Sequence, residues 1–195
     1  MSGDGDNDND SFDLVGSHLR LISAADFETQ DSYSIRMAVT DQDGLSSEHV
    51  IVLSVDDVNE SPTDLQISES SFADTAPLSS IIAELSTTDP DEDDRFRYQL
   101  VSGPGSDDNF VFRVAGNKLR LKQSLRDKQD IYNIRLRTVD KYGKSFEKAF
   151  ELNLSYSPEQ INLSELSFDE NLAENSEIAI LSSVDRNIGD THAYE

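Results

Sequence analysis

The chain has 195 residues, 36% of them hydrophobic and 28% charged, with 16 Lys+Arg against 39 Asp+Glu and a net charge of −23. So acidic a surface excludes nucleic acid and anionic membranes as partners, since both need basic side chains; it suits hard cations, which take oxygen ligands, and it also keeps a chain dispersed. There are no cysteines, which removes a disulfide framework, a thiolate metal site and a cysteine nucleophile.

At the N-terminus, Asp4-Gly-Asp-Asn-Asp8 has the alternating acids of an EF-hand loop, but the sixth position is Asn9 rather than Gly and the twelfth is Val15 rather than Glu. The segment is therefore expected to be a disordered acidic start. Beyond it, Tyr33, Ile35, Met37 and Val39 fall on one face and Ser34, Arg36 and Ala38 on the other, the period of a half-buried strand. Strands are expected next at His49–Val55, Asp64–Ile67, Ile81–Leu85, Arg95–Val101, Phe110–Val114 and Lys118–Lys122. Tyr132, Ile134, Leu136 and Thr138 then repeat the earlier alternation, and Phe146–Leu154 follows. Turn signals at Asp43-Gly44, Gly103-Pro104-Gly105, Gly116-Asn117 and Tyr142-Gly143 separate them. No segment shows helical periodicity, and no run is apolar enough to span a membrane.

The chain repeats itself. Tyr33, Asp41 and Gly44 recur as Tyr132, Asp140 and Gly143 (132 − 33 = 99), and Ser17-His-Leu-Arg-Leu21 recurs as Asn117-Lys-Leu-Arg-Leu121. In a second register Leu85-Ser-Thr-Thr-Asp89 recurs as Leu181-Ser-Ser-Val-Asp185 (181 − 85 = 96), with Phe72 and Phe168, Pro62 and Pro158, Tyr98 and Tyr194 at the same offset. Residues 1–61 therefore read as the end of one repeat with its linker, 62–156 as a whole repeat, and 157–195 as the start of a third. A repeat of that length with several short strands suits a β-sandwich of roughly 100 residues.

Five motifs then fall in order. Asp57-Val-Asn-Glu-Ser61 before Pro62 resembles the cadherin inter-repeat linker, Thr88-Asp-Pro-Asp91 the Asp-x-Asp loop, and Asp26-Phe-Glu28 the Asp-Arg-Glu motif. Val139-Asp-Lys-Tyr-Gly143 resembles the Ala-x-Asp-x-Gly motif, and Phe168-Asp-Glu-Asn171 the Glu-Asn near a repeat start. The wording is most similar to cadherin-like repeats of the bacterial type. The resemblance covers almost the whole chain and implies an all-β fold of tandem Greek-key β-sandwich (cadherin/immunoglobulin-like) repeats. It also implies calcium at the first junction, held by Asp26, Glu28, Asp57, Asn59, Glu60, Asp89, Asp91 and Asp140. Calcium takes about six to eight oxygens, more than one strand edge supplies. Up to three ions would neutralise the seven carboxylates in that set and turn a flexible joint into a stiff one. Ser61 stands where the linker pattern has a last Asn.

The second junction departs from the pattern. Leu154-Ser-Tyr-Ser-Pro158 is shorter and lacks acids, Leu125-Arg-Asp127 replaces the Asp-x-Glu motif, and Asp74, Asp127, Asp185 and Asn187 remain. It is expected to bind calcium weakly or not at all and to be a hinge or a dry contact.

By family resemblance the segment belongs outside the cell, in a surface or secreted protein, and mediates adhesion to the same protein on another cell or to a surface glycan. Two rival readings stay open: a passive stalk or spacer, and a carbohydrate-binding module of a secreted enzyme, for which a chain with no Trp offers little. His18, His49 and His192 are scattered and read as surface residues, with no nucleophile–base–acid arrangement, so no enzyme is expected. The Asn-x-Ser/Thr matches at Asn9, Asn59, Asn153 and Asn162 are of a kind common by chance.

Overall fold

The computed structural model describes residues 3–92, 95–125, 128–187 and 190–195. It falls into two compact units, Met1–Glu60 with Pro90–Asp93, and Ser61–Asp89 with Asp94–Glu195.

The first unit holds β1 (Phe12–Val15), β2 (His18–Leu21), β3 (Ser32–Thr40) and β4 (Ser46–Ser54). β1 pairs with β2 and β3 with β4, both antiparallel. Strand β4 starts at Ser46, ahead of the expected His49, because the β3–β4 ladder runs to a Thr40–Ser46 hydroxyl contact of 2.7 Å. Ile35 is buried, and the Phe12 and Tyr33 rings meet edge to face with centroids 5.4 Å apart. The acidic start is ordered, which corrects the expectation of disorder. Asp8 Oδ2 accepts the Ser34 amide at 2.6 Å and its Oδ1 accepts Gln30 Nε2 at 2.9 Å. The Ser34 amide, then the Gln30 side chain, hold the Asp8 carboxyl below its usual range.

In the second unit β5 (Asp64–Ile67), β6 (Ser71–Ala73), β7 (Ile81–Thr88), β8 (Arg97–Leu100), β9 (Phe112–Ala115), β10 (Lys118–Leu121), β11 (Ile131–Val139) and β12 (Ser145–Ser155) form two four-stranded sheets, ordered β5-β7-β10-β9 and β6-β12-β11-β8. Alternate residues of each sheet point at the other. Tyr132, Ile134, Leu136 and Thr138 of β11 are all buried, together with Leu65, Leu85, Leu119, Leu121, Leu152 and Leu154. Phe72, Phe112 and Tyr132 form an aromatic triad with centroids 5.5–5.9 Å apart. Strand β9 starts at Phe112, not Phe110. A 3₁₀ turn occupies Asn109–Val111, pinned where Asn109 Oδ1 accepts the Arg135 amide at 2.9 Å and its Nδ2 donates to the Val101 carbonyl at 2.8 Å. The turn before it needs glycine at 105, whose φ is +77° and where a Cβ would lie 2.9 Å from that of Ala149.

The same unit carries β13 (Gln160–Leu163) and β14 (Leu181–Val184), an antiparallel pair in the register of β5 and β7. Neither strand was expected from alternation. Among the described residues the helical segments are 3₁₀ turns, and no helix is long and apolar enough to cross a membrane.

Candidate metal centre

Four of the expected ligands come together in the first unit. One carboxylate oxygen each from Glu28, Asp57, Glu60 and Asp91 lies within 4.8 Å of the others. Oxygens bound to one calcium at roughly 2.3–2.6 Å are at most about 5 Å apart, so this set is compact enough to share an ion.

Short-range bonds shape the cluster. The Glu60 amide donates to Asp91 Oδ2 over 2.9 Å, and Asn59 Nδ2 donates to the Glu60 carbonyl over 2.7 Å. Asp91 is buried. Glu60 Oε2 is also buried and accepts no hydrogen bond from a described residue. A buried carboxylate oxygen in that state carries a desolvation cost that a cation would relieve. The Glu28 carboxyl feels the same crowding. Its own backbone amide pulls its pKa down, but desolvation, a hydrogen bond shared with Asp26, and the charges of Glu60 and Asp26 outweigh that and raise it above the usual range. Oxygen donors of this hardness fit calcium.

The other expected ligands are placed differently. Asp26 is outside the cluster. Its Oδ2 accepts Thr29 Oγ1 at 2.9 Å, and that bond, more than any other, holds its carboxyl below the usual range. Asn59 lies half-buried between Val58 and Glu60. Asp89 follows the end of β7 in the second unit and is half-buried. Asp140, at the end of β11, is fully buried, and its Oδ1 accepts the amides of Tyr142, Gly143 and Lys144 at 2.8, 2.5 and 2.9 Å. Asp41 does the same for Asp43 and Leu45, both at 2.9 Å.

The second junction lies within the second unit. Asp74 Oδ1 accepts the Ser157 amide at 3.0 Å and the Ser157 hydroxyl at 2.9 Å, while Lys128 Nζ bonds Oδ2. Lys128 first, then Ser157, hold the Asp74 carboxyl low despite burial. Tyr156 donates its hydroxyl to Asp130 at 2.9 Å, and the Arg186 guanidinium lies 4.2 Å from the centre of the Tyr156 ring. Asn187 Oδ1 accepts the Tyr156 amide at 2.7 Å, and Asp185 accepts the Asn187 amide at 2.8 Å and contacts His192 Nε2 at 3.2 Å. His192 is thus a partly buried partner of Asp185, not the free surface residue expected. The sequence offered one signal of this arrangement, the loss of acids from the linker. Asp127, also expected at this junction, lies outside the described residues.

No family model matches the chain. Solved structures do. Human protocadherin-24 EC1-2 aligns with a TM-score of 0.59 at 22% identity, covering 80% of this chain and 80% of that one. The extracellular cadherin domains 3-6 of protocadherin gamma B2 align with a TM-score of 0.60 at 22% identity over 94% of this chain, which spans 47% of that fragment. The protocadherin gammaB4 extracellular domain aligns with a TM-score of 0.56 at 22% identity over 92% of this chain and 31% of that one. At these identities the likeness establishes the fold: this chain is built of cadherin-like β-sandwich repeats.

Proposed function

We propose that the chain is a calcium-binding, non-enzymatic segment of cadherin-like repeats from a large surface or secreted protein, and that it serves cell adhesion. Residues 1–61, 62–156 and 157–195 are read as the end of one repeat, a whole repeat and the start of a third, and the linker wording favours repeats of the bacterial type. The observation that carries the calcium reading is the convergence of Glu28, Asp57, Glu60 and Asp91, with a Glu60 oxygen that is buried and accepts no hydrogen bond from a described residue. Bound calcium supplies the positive charge that lets these carboxylates stay close. The Glu60 amide orients Asp91. Asp26, Asn59, Asp89 and Asp140 are proposed as further ligands on the strength of their motifs. Stiffening of the first junction by calcium is part of the same proposal.

The second junction is proposed to need no calcium, because Lys128 and Arg186 already sit against Asp74 and Asp130. That feature favours a spacer role for this part of the chain. Adhesion and spacing are separated by coating beads with the 195-residue chain. Clumping that needs calcium and reverses with chelator supports adhesion, while beads that stay dispersed at millimolar calcium leave the spacer reading.

A further inference from the structure

The charge of −23 is unevenly spread. Residues 62–156 hold 13 of the 16 Lys+Arg and 16 of the 39 Asp+Glu (13 − 16 = −3), so most of the acidity lies elsewhere. Four of these cations share one face of the sheet β5-β7-β10-β9. Leu119 and Leu121 of β10 point into the core, so Lys118 and Arg120 point outward, with the exposed Lys122 next in the same alternation. Arg113 of β9 stands directly opposite Arg120. Like charges in that position cost stability, and the fold does not require them: the same register in the first unit sets Asp13 opposite Arg20. Lys118 pairs with Glu84, and Arg120 donates to the Ser79 carbonyl over 2.7 Å, while Arg113 and Lys122 have no ion pair with a described residue.

Lys122 also lines a groove of about 650 Å³ with Phe110, Gln123, Leu125, Gln129 and Tyr132. All six lie inside the whole repeat. The Phe110 ring is 60% exposed, whereas Tyr132 is 3% exposed and its hydroxyl has no hydrogen-bond partner among the described residues. Burial raises the Tyr132 pKa by more than the nearby Gln129 amide lowers it, so the hydroxyl keeps its proton. A buried donor in that state carries a desolvation cost that an acceptor on a ligand would relieve. Asp108 also lines the groove, but both its oxygens are engaged, by Gln129 Nε2 and by the Asn133 amide, each at 2.7 Å.

We infer that this groove and the cationic face beside it form a binding site for an oligosaccharide that carries carboxylates. The Phe110 ring offers a flat apolar platform to the C–H face of a sugar. Tyr132 donates to an oxygen of the sugar seated in the groove. Gln123 and Gln129 spend their amide nitrogens on the Phe110 carbonyl and on Asp108, which leaves their side-chain carbonyls to accept sugar hydroxyls. Lys122 meets a carboxylate at the mouth, and Arg120 and Arg113 take carboxylates further along the ligand, relieving their mutual repulsion. A convergence of polar groups around one apolar platform suits a small ligand site. The net −23 of the chain opposes a dense polyanion such as nucleic acid, so the match is to carboxylates spaced by sugars. This inference goes beyond the calcium and adhesion readings and rests on neither.

The test is an NMR titration of the isotope-labelled 195-residue chain in chelator, which keeps the calcium cage out of play. The probes are a short oligogalacturonate, a glucuronate-containing hyaluronan fragment and a sialylated oligosaccharide, with the methyl ester of the oligogalacturonate as the uncharged control. The expected result is saturable shifts at the amides of Phe110, Gln123 and Gln129 with a carboxylated probe and none with the ester. Tyr132→Phe removes only the hydroxyl oxygen and should weaken that binding roughly tenfold without lowering the melting temperature. Lys122→Gln, on an exposed side chain, should also weaken it roughly tenfold and reduce its salt dependence. Three outcomes overturn the inference: no shifts with any carboxylated probe, equal binding of the ester, or binding that either variant leaves intact.

Discussion

The backbone amide of Glu60 donates to Oδ2 of Asp91 over 2.9 Å, binding the linker end to the Asp-x-Asp loop. That bond fixes one oxygen of Asp91 in a space it shares with Glu28 and Asp57. A linker that the sequence could have left as a flexible acidic strip is thereby a defined cage of oxygens.

The raised pKa of Glu28 gives the cage a pH dependence. The native state without metal binds a proton on Glu28 that the unfolded state releases, so its stability falls as pH rises from the ordinary Glu value through the raised one. Thermal melts in chelator should therefore rise as pH is lowered through that window. Protons compete with calcium, so calcium affinity should fall on the same acidification. Glu28→Gln should flatten both profiles.

At the second junction the sign is reversed. Asp74 and Asp185 are held low by Lys128 and by the Asn187 amide respectively. Their stabilisation is present above the ordinary Asp value and is lost as pH falls through the depressed ones. Lys128→Ala and Arg186→Ala should each lower the melting temperature by the same amount with calcium and with chelator. A loss seen only with calcium would count against a calcium-free joint.

Asp140 serves a turn as well as a proposed ion. Asp140→Ala leaves three amides without their acceptor and should cost on the order of 2–4 kcal/mol. Asp140→Asn keeps Oδ1 and should cost about 1 kcal/mol or less in chelator while still weakening calcium binding. Urea denaturation of both variants, with and without calcium, separates the two roles.

Leu119 and Leu19 are each followed by Arg-Leu and have different surroundings. Leu119→Ala should cost about 2–5 kcal/mol, lowering the melting temperature by roughly 10 °C or more. Leu19→Ala, measured in dilute solution, should cost about 1 kcal/mol or less because its side chain already meets water.

The long strands were legible because one face is buried: β11 alternates along its whole length, and the expected Tyr132, Ile134, Leu136 and Thr138 are its inward residues. The four-residue β13 and β14 were not, since Gln160–Leu163 and Leu181–Val184 are too short for a period and lie in a half-sandwich that buries neither. The disorder expected at Asp4–Asp8 fails because Asp8 is a brace, a role visible only once Ser34 is seen to donate to it. In the candidate site the motif order picked out Glu28, Asp57, Glu60 and Asp91. It gave no sign that Thr29 engages Asp26 or that a turn engages Asp140, because both are local hydrogen bonds that leave residue spacing unchanged.

The most direct test of the calcium cage is isothermal titration of the 195-residue chain with calcium, beside the Glu28→Gln/Asp91→Asn variant. The account predicts saturable binding in the range of extracellular modules, about 10⁻⁴–10⁻³ M, a matching rise in melting temperature, and loss of both in the variant. No heat and no stabilisation at millimolar calcium, or binding that the variant leaves intact, would contradict it.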